Sequence, residues 1–125
     1  MIDTHSHLYL EEFDCDRQDA VIRAKQAGVE KIILPNVDES TLSDLLELEQ
    51  RERDYFFAAI GLHPTSVNVN FREQLEFVES ELARRKYIAV GEIGLDFYWD
   101  KTFVKEQISA FEQQIIWAEI GRAHV

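Results

Sequence analysis

Four short apolar runs alternate with four segments of helical periodicity along residues 1–119, and this alternation constrains the fold more than any other feature. The runs are 1–4, 30–34, 55–60 and 87–90. The second and third are continuously apolar at 32–34 and 56–60, which is typical of strands in a parallel sheet that is buried on both faces. The pattern therefore predicts a strand followed by a helix, four times over.

The helix boundaries are predicted from capping residues and from the spacing of apolar side chains. Asp16 or Asp19 is expected to begin the first helix, and Gly28 to end it as the residue after the C-cap. Ser40 is expected to cap the second helix, in which leucines recur at helical spacing. The third and fourth helices are predicted at 71–86 and 103–119.

Two architectures are built from such an alternation, a doubly wound sheet and a (βα)8 barrel. A doubly wound sheet would be favoured by a glycine-rich phosphate loop after the first strand, but that strand leads into His5-Ser6-His7. We therefore predict an α/β protein with TIM-barrel architecture. A complete barrel takes roughly 250 residues. The 125 residues of this chain therefore correspond to a barrel truncated to about its first four βα units.

Histidine and glutamate follow the predicted strands where barrel enzymes carry their functional groups, at the C-terminal strand ends. His5 and His7 follow the first strand, and Glu92 follows the fourth. Residues two apart in a strand point to the same side, so His5 and His7 can chelate one metal ion. Imidazole suits zinc and its first-row neighbours, and a carboxylate can add one oxygen or bridge two cations. The residues predict a metal centre of His5, His7 and Glu92.

Three more residues are candidates for contacting a substrate or supporting the ligands. His63 is either a metal ligand or, because Pro64 fixes the loop after it, an imidazole aimed at a substrate. Asp96 and Tyr98 share the loop of Glu92 and are expected to orient a ligand or contact substrate. Taken singly, His63 also fits a buried histidine with a hydrogen bond, and Glu92 fits a salt-bridged carboxylate. Their combination at separate strand ends favours the metal site.

The net charge of −11 argues against a broad nucleic-acid-binding surface, which carries a basic stripe. It remains compatible with an enzyme that acts on phosphodiesters, because bound divalent cations supply positive charge where a phosphate lies. No stretch approaches the roughly 20 apolar residues of a membrane helix, and nothing resembles a secretory signal. The single cysteine, Cys15, suits a reducing compartment. We therefore expect a cytoplasmic protein without membrane contact and without an obligate protein partner.

Three segments carry a specific resemblance: DTHSHL at 3–8, GLHP at 61–64 and GEIGLDFY at 91–98. In order and spacing they resemble the signature segments of the TatD family of metal-dependent deoxyribonucleases. Ser6 departs from the pattern, since the family often has cysteine there. The resemblance extends over 1–119 and implies a TIM barrel of the metal-dependent hydrolase type. It also implies hydrolysis of phosphodiester bonds with two divalent cations (Mg²⁺, Mn²⁺ or Zn²⁺).

The resemblance also implies roles for particular residues. His5 and His7 would bind one cation, Glu92 would bridge two, and His63 would lie near the substrate phosphate. In the family, further metal-binding histidines and an aspartate that acts as the base follow later strands. Beyond the metal ligands, no catalytic residue is therefore expected within 1–119, and the chain by itself is expected to be inactive.

Two segments are distinguished along the chain. Residues 1–119 are expected to form the N-terminal half of a TIM-barrel hydrolase domain. Residues 120–125 (IGRAHV) break the helical pattern and read like a translated sequencing adapter. We expect 120–125 to be a non-native, adapter-derived tail, in which His124 is no ligand.

The leading hypothesis is a metal-dependent hydrolase of DNA or another phosphodiester substrate, most closely a TatD-like 3′–5′ exonuclease. Hydrolysis of amide or lactone bonds is an alternative that the same barrel supports. Many amidohydrolases bridge their metals with a carbamylated lysine, and no lysine lies at a predicted strand end. A third hypothesis is a truncated, non-catalytic fragment that pairs through its open sheet edges.

Overall fold

The computed structural model describes residues 1–122. Within this part of the chain, strands and helices alternate as predicted. The strands are β1 (Ile2–Asp3), β2 (Lys31–Pro35), β3 (Phe56–Ile60) and β4 (Ala89–Val90). The helices are α1 (Arg17–Gln26), α2 (Glu39–Arg51), α3 (Phe71–Arg84) and α4 (Val104–Arg122). Two 3₁₀ turns, Glu11–Phe13 and Pro64–Ser66, precede α1 and α3.

The strands form one parallel sheet in the order β1-β2-β3-β4. The central pair, β2 and β3, is in register from Ile32 opposite Phe56 to Pro35 opposite Ala59. The strand order never reverses, whereas a doubly wound sheet reverses its order at a switch point. The sheet instead curls in one direction, as one half of a barrel does. The predicted α/β class and TIM-barrel architecture are confirmed.

Two hydrophobic clusters pack the helices against the sheet. The first joins β2 and β3 to α1 and α2 and includes the fully buried Leu34 and Leu45. The second joins the end of β3 to α3 and α4 through Ile60, Val78 and Ala110. The apolar stripes read from the sequence therefore face the sheet, and the C-terminal strand ends are left for polar side chains.

Helix α2 begins at a different residue from the one predicted. Asp38, not Ser40, is its N-cap, and the Asp38 side chain accepts a hydrogen bond from the backbone N–H of Ser40 at 3.0 Å. Thr41 completes a capping box with Asp38. A carboxylate two residues upstream therefore displaces the serine as the cap. At the end of α1, Gly28 has a φ of 85°, which confirms the predicted left-handed residue there.

Helix α4 continues through Arg122, three residues beyond its predicted end at Glu119. Its 19 residues make it the longest helix between residues 1 and 122. Neither α4 nor another described helix combines the length and the apolar character needed to cross a membrane. His124 lies outside the described residues.

Candidate metal centre

The loop that carries Glu92 is attached to the end of β2. Asn36, the residue after β2, is fully buried, and its backbone N–H donates to the Gly91 carbonyl at 3.1 Å. The Glu92 N–H donates in turn to the Asn36 carbonyl at 3.0 Å. The Asn36 side chain accepts from the Thr41 hydroxyl at 2.9 Å. Because the sheet curls, the ends of β2 and β4 meet across β3, and Glu92 is held by backbone bonds.

Gly61, the first residue after β3, packs directly against the backbone of this loop. A Cβ atom at position 61 would lie 2.7 Å from the carbonyl carbon of Gly91 and 2.9 Å from the backbone oxygen of Glu92. Real Cβ atoms do not approach backbone atoms so closely, so only glycine fits at this position. The position of the Glu92 backbone therefore depends on the absence of a side chain at Gly61.

Three potential ligand atoms converge at the strand ends. His5 Nε2 lies 2.9 Å from Glu92 Oε2, His7 Nε2 lies 3.0 Å from the same oxygen, and the two nitrogens are 3.1 Å apart. Ligands of a tetrahedral zinc ion with bonds of 2.0–2.1 Å are separated by about 3.3 Å. The triangle is only slightly tighter than such a site. Within residues 1–122, these three residues are the one group of at least three histidine, cysteine or acidic side chains whose ligand atoms all lie within 4.8 Å of one another.

The chemistry of this donor set fits a divalent cation. Lone pairs of two imidazoles and a carboxylate repel one another unless a proton or a cation lies among them. Two nitrogens with one carboxylate oxygen are a common protein ligand set for catalytic zinc, in which a water takes the fourth position. The His5 side chain is 53% exposed, whereas those of His7 and Glu92 are 25% and 24% exposed. The site therefore opens to solvent on the side of His5.

Tyr9 forms a hydrogen bond with the ring of His7. The phenol oxygen lies 2.9 Å from His7 Nδ1, and the hydroxyl donates to the Pro35 carbonyl at 2.6 Å. Tyr9 is 2% exposed. Its burial raises the pKa of the phenol far above the usual value, because a phenolate loses its hydration there. Tyr9 therefore keeps its hydroxyl hydrogen and connects a candidate ligand to the end of β2.

His63 approaches the same carboxylate from the other side. Its Nε2 lies 3.1 Å from Glu92 Oε1, the oxygen that does not face His5 and His7. Its Nδ1 accepts the backbone N–H of Thr65 at 3.1 Å and contacts the Thr65 hydroxyl at 2.7 Å. The turn at Pro64–Ser66 provides these donors, with His63 as its N-cap. In a neutral ring, Nε2 then carries the hydrogen and donates it to Glu92.

The structure places Asp96 and Tyr98 in a separate cluster. Asp96 and Gln107 exchange two hydrogen bonds of 2.9 Å, from the Asp96 N–H and to the Asp96 carbonyl. The Asp96 carboxylate accepts the Tyr98 N–H at 3.0 Å. Tyr98 is 83% exposed and stacks edge to face on Trp99, with ring centroids 4.8 Å apart. Within the described residues, these bonds connect Asp96 to α4 rather than to the ligand triangle.

Helix α4 holds both loops of the site through two glutamines that were not identified from the sequence. Gln114 is buried and accepts from the Leu62 N–H at 2.7 Å while donating to the Leu62 carbonyl at 3.3 Å. Gln107 binds Asp96 in the same manner. Both glutamines lie at helical spacing beside apolar residues of α4, and a polar residue within such a stripe was the available signal.

We expect Gln114→Met to lower the free energy of unfolding by about 2 kcal/mol, because the buried N–H and carbonyl of Leu62 lose their partner. Urea denaturation of the purified chain measures this change. Gln113→Met is the matched control, since it changes the adjacent residue in the same way. Equal losses in the two variants would show that the Leu62 contacts contribute nothing to stability.

Comparison with known proteins identifies the fold family. Residues 2–122 match the family described as TatD related DNase. The chain belongs to the TatD family. The resemblance read from the three sequence segments is thereby confirmed across the part of the chain in which they lie.

Individual relatives of this TatD-family chain agree with the assignment. It is 36% identical over 119 residues to the metal-dependent hydrolase YabD of Bacillus subtilis, covering 95% of this chain and 46% of YabD. It is 32% identical over 118 residues to the 3′–5′ ssDNA/RNA exonuclease TatD of Pectobacterium parmentieri, covering 92% and 44%. The chain spans about half the length of these relatives.

A solved structure supports the same fold. The TatD homologue YjjV of Escherichia coli superimposes with a TM-score of 0.80 at 35% identity, over 94% of this chain and 46% of YjjV. A TatD-family hydrolase of Entamoeba histolytica superimposes with a TM-score of 0.74 at 23% identity, which supports the fold alone. The TatD-family chain thus has the fold of a metal-dependent hydrolase family.

Proposed function

We propose that His5, His7 and Glu92 bind a divalent cation, and that the whole protein uses this centre to hydrolyse phosphodiester bonds. The convergence of three ligand atoms within 2.9–3.1 Å of one another carries the proposal. The metal-dependent hydrolase and exonuclease names of the relatives support it. When bound, divalent cations lower the pKa of a water and stabilise the attacking and leaving oxygens.

We also propose that Glu92 bridges two cations, drawn from Mg²⁺, Mn²⁺ and Zn²⁺. Its Oε2 faces His5 and His7, and its Oε1 faces outward from that group, towards His63. A carboxylate with its two oxygens turned to opposite sides is suited to bridging. His63 then acts as a hydrogen-bond donor to a phosphate oxygen rather than as a metal ligand, because its Nδ1 accepts the Thr65 N–H and its Nε2 therefore carries the hydrogen.

We propose DNA or another single-stranded phosphodiester as the substrate, hydrolysed in the 3′–5′ direction. The exonuclease relative supports this class. Asp96 and Tyr98 would contact the nucleotide beside the scissile phosphate. Their loop is suited to this role, because Gln107 holds Asp96 while the aromatic ring of Tyr98 remains exposed.

Tyr98→Ala in the whole protein is expected to raise KM for a single-stranded oligonucleotide about tenfold, since stacking of one base on an aromatic ring contributes about 1–3 kcal/mol. The KM for the same oligonucleotide with an abasic 3′-terminal nucleotide, which offers no base to stack, is expected to stay unchanged. Tyr98→Phe is the control that retains the ring. Equal effects on both substrates would contradict a base-stacking role.

The proposed activity is tested on the protein encoded by the complete reading frame. We expect release of nucleotides from labelled single-stranded DNA with Mg²⁺ or Mn²⁺, and loss of this release on chelation or in His5→Ala. Faster cleavage of amide or lactone substrates would instead support the other amidohydrolase chemistry. Activity that survives both treatments would overturn the proposal.

We propose that residues 1–119 are the N-terminal half of a longer barrel and that 120–125 are non-native. Alone, the chain is expected to turn over no substrate, because two cations need more ligands than the three side chains grouped in residues 1–122. Sequencing the source gene beyond the codon for Glu119 tests the first point. DNA degradation by purified 1–125 that is abolished in His5→Ala would overturn the expected inactivity of the chain alone.

A cytoplasmic location completes the proposal. Cys15 is exposed and free, as expected for a protein of a reducing compartment. Fractionation of the source cells, followed with an antibody against the chain, tests this location. Recovery with the periplasmic or membrane fraction would contradict it.

A further inference from the structure

A chain of two hydrogen bonds runs from the candidate ligand His7 through Tyr9 to the end of β2. His7 Nδ1 and the Tyr9 oxygen are 2.9 Å apart, and the Tyr9 oxygen and the Pro35 carbonyl oxygen are 2.6 Å apart. The rings of His7 and Tyr9 meet at 72°, with centroids 5.7 Å apart. Tyr9 is almost fully buried, and its hydroxyl, which also lies near the Thr41 side chain, contacts protein groups in place of bulk water.

The direction of each bond follows from the number of hydrogens. A carbonyl oxygen only accepts, so the single hydroxyl hydrogen of Tyr9 lies in the short bond to Pro35. The phenol oxygen is then an acceptor towards His7, and His7 Nδ1 must be the donor. A neutral imidazole carries one hydrogen, so His7 Nε2 keeps a free lone pair. That lone pair faces Glu92 Oε2 and His5 Nε2, and the hydrogen of His5 Nε2 lies among the three atoms when no cation is bound.

We propose that Tyr9 is a positioning residue that selects the Nδ1–H tautomer of His7 and thereby makes His7 Nε2 available as a metal ligand. This inference rests on the proposed metal-binding function of the centre. It assigns a role to a residue that touches neither cation nor substrate. A histidine ligand that donates its second ring N–H to an oriented acceptor, as His7 does to Tyr9, is fixed in both its tautomer and its ring orientation.

His63 shows the opposite arrangement on the same carboxylate. Its Nδ1 accepts a backbone N–H, a group that can only donate, so its hydrogen lies on Nε2 and points at Glu92. His7 and His63 thus present a lone pair and an N–H, respectively, to the two oxygens of Glu92. The difference comes from the supporting residues, Tyr9 and Thr65, and it separates a metal ligand from a hydrogen-bond donor.

His5 has no comparable need for a fixed partner. Its backbone N–H is held by the Asp3 carboxylate at 3.0 Å, and its ring is more than half exposed. Water can therefore serve His5 Nδ1, whereas the more buried ring of His7 depends on Tyr9. Removal of the Tyr9 hydroxyl should affect His7 and leave His5 and His63 unchanged.

The test combines nuclear magnetic resonance with metal titration on the full 125-residue chain. Long-range ¹H–¹⁵N spectra of the metal-free protein report which ring nitrogen of each histidine carries hydrogen. We expect wild-type His7 to be Nδ1–H and His63 to be Nε2–H. In Tyr9→Phe we expect His7 to become a mixture of tautomers, with His63 unchanged. Isothermal titration with Zn²⁺ alone should show about 10–100-fold weaker binding.

Tyr55→Phe is the matched control, because the Tyr55 hydroxyl is buried and has no hydrogen-bond partner among residues 1–122. It removes the same atom from the same residue type and should leave Zn²⁺ affinity and the His7 tautomer unchanged. An Nε2–H signal for His7 in the wild-type protein would overturn the inference without any variant. Equal Zn²⁺ affinities of wild type and Tyr9→Phe would also overturn it. Absence of Zn²⁺ binding by the wild type would instead overturn the proposed metal centre.

Discussion

Glu92→Gln is expected to weaken Mn²⁺ or Zn²⁺ binding by on the order of 1,000-fold, because loss of a ligand exceeds the 10–100-fold cost of losing an outer-shell partner. Glu92 Oε2 is the atom that both His5 Nε2 and His7 Nε2 approach within 3.0 Å. Glutamine has the same shape, but it removes the negative charge and replaces one carboxylate oxygen by an amide nitrogen that does not bind the cation. Isothermal titration of the purified chain measures the change.

The fold should survive this substitution. Glu92 is held by its backbone N–H on Asn36, and this bond is unaffected by the side chain. Glu76→Gln, at an exposed position of α3, removes the same charge outside the ligand group. It controls for the general effect of charge on an acidic protein. Equal affinities in Glu92→Gln and Glu76→Gln would rule out Glu92 as a ligand. Loss of the thermal transition in Glu92→Gln would assign it a structural role instead.

The alternation of strands and helices could be predicted because burial dictates it locally. At the centre of the sheet, β2 is apolar after its first residue and β3 is apolar along its length, and β3 was predicted within one residue of its observed bounds, Phe56–Ile60. The edge strands are shorter than predicted: β1 covers Ile2–Asp3 and β4 covers Ala89–Val90. Each edge strand has a neighbour on one side only among the described strands, so fewer of its residues are paired.

The ligand triangle could be anticipated for a similar reason. His5 and His7 share a side because they are two residues apart, and parallel strands bring Glu92 to the same edge of the sheet. The supporting contacts could not be anticipated. Gln114 binds Leu62 across 52 residues, and Tyr9 binds Pro35 across 26. Such bonds depend on how far the sheet curls and where each helix lies, which no local pattern of the chain specifies.

Gly61→Ala is expected to lower the free energy of unfolding by about 3 kcal/mol, at the upper end of the cost of overpacking, and to weaken metal binding at the same time. The added Cβ would lie 2.7 Å from the Gly91 carbonyl carbon and 2.9 Å from the Glu92 carbonyl oxygen. Both are backbone atoms, and the same segment is bonded to Asn36, so it cannot shift without moving the Glu92 carboxylate.

Gly91→Ala is the control that isolates this contact. A Cβ at position 91 would meet the side chains of Ala59 and Pro35 at 3.9 Å, which is an ordinary contact distance. The substitution lies next to Glu92 in the chain, yet we expect it to change both stability and Mn²⁺ affinity far less than Gly61→Ala. Urea denaturation and Mn²⁺ titration of the two variants measure both effects. A larger effect of Gly61→Ala on metal binding would show that the position of Glu92 depends on packing between strand ends. Equal effects of the two variants would show that it depends on the Glu92 loop alone.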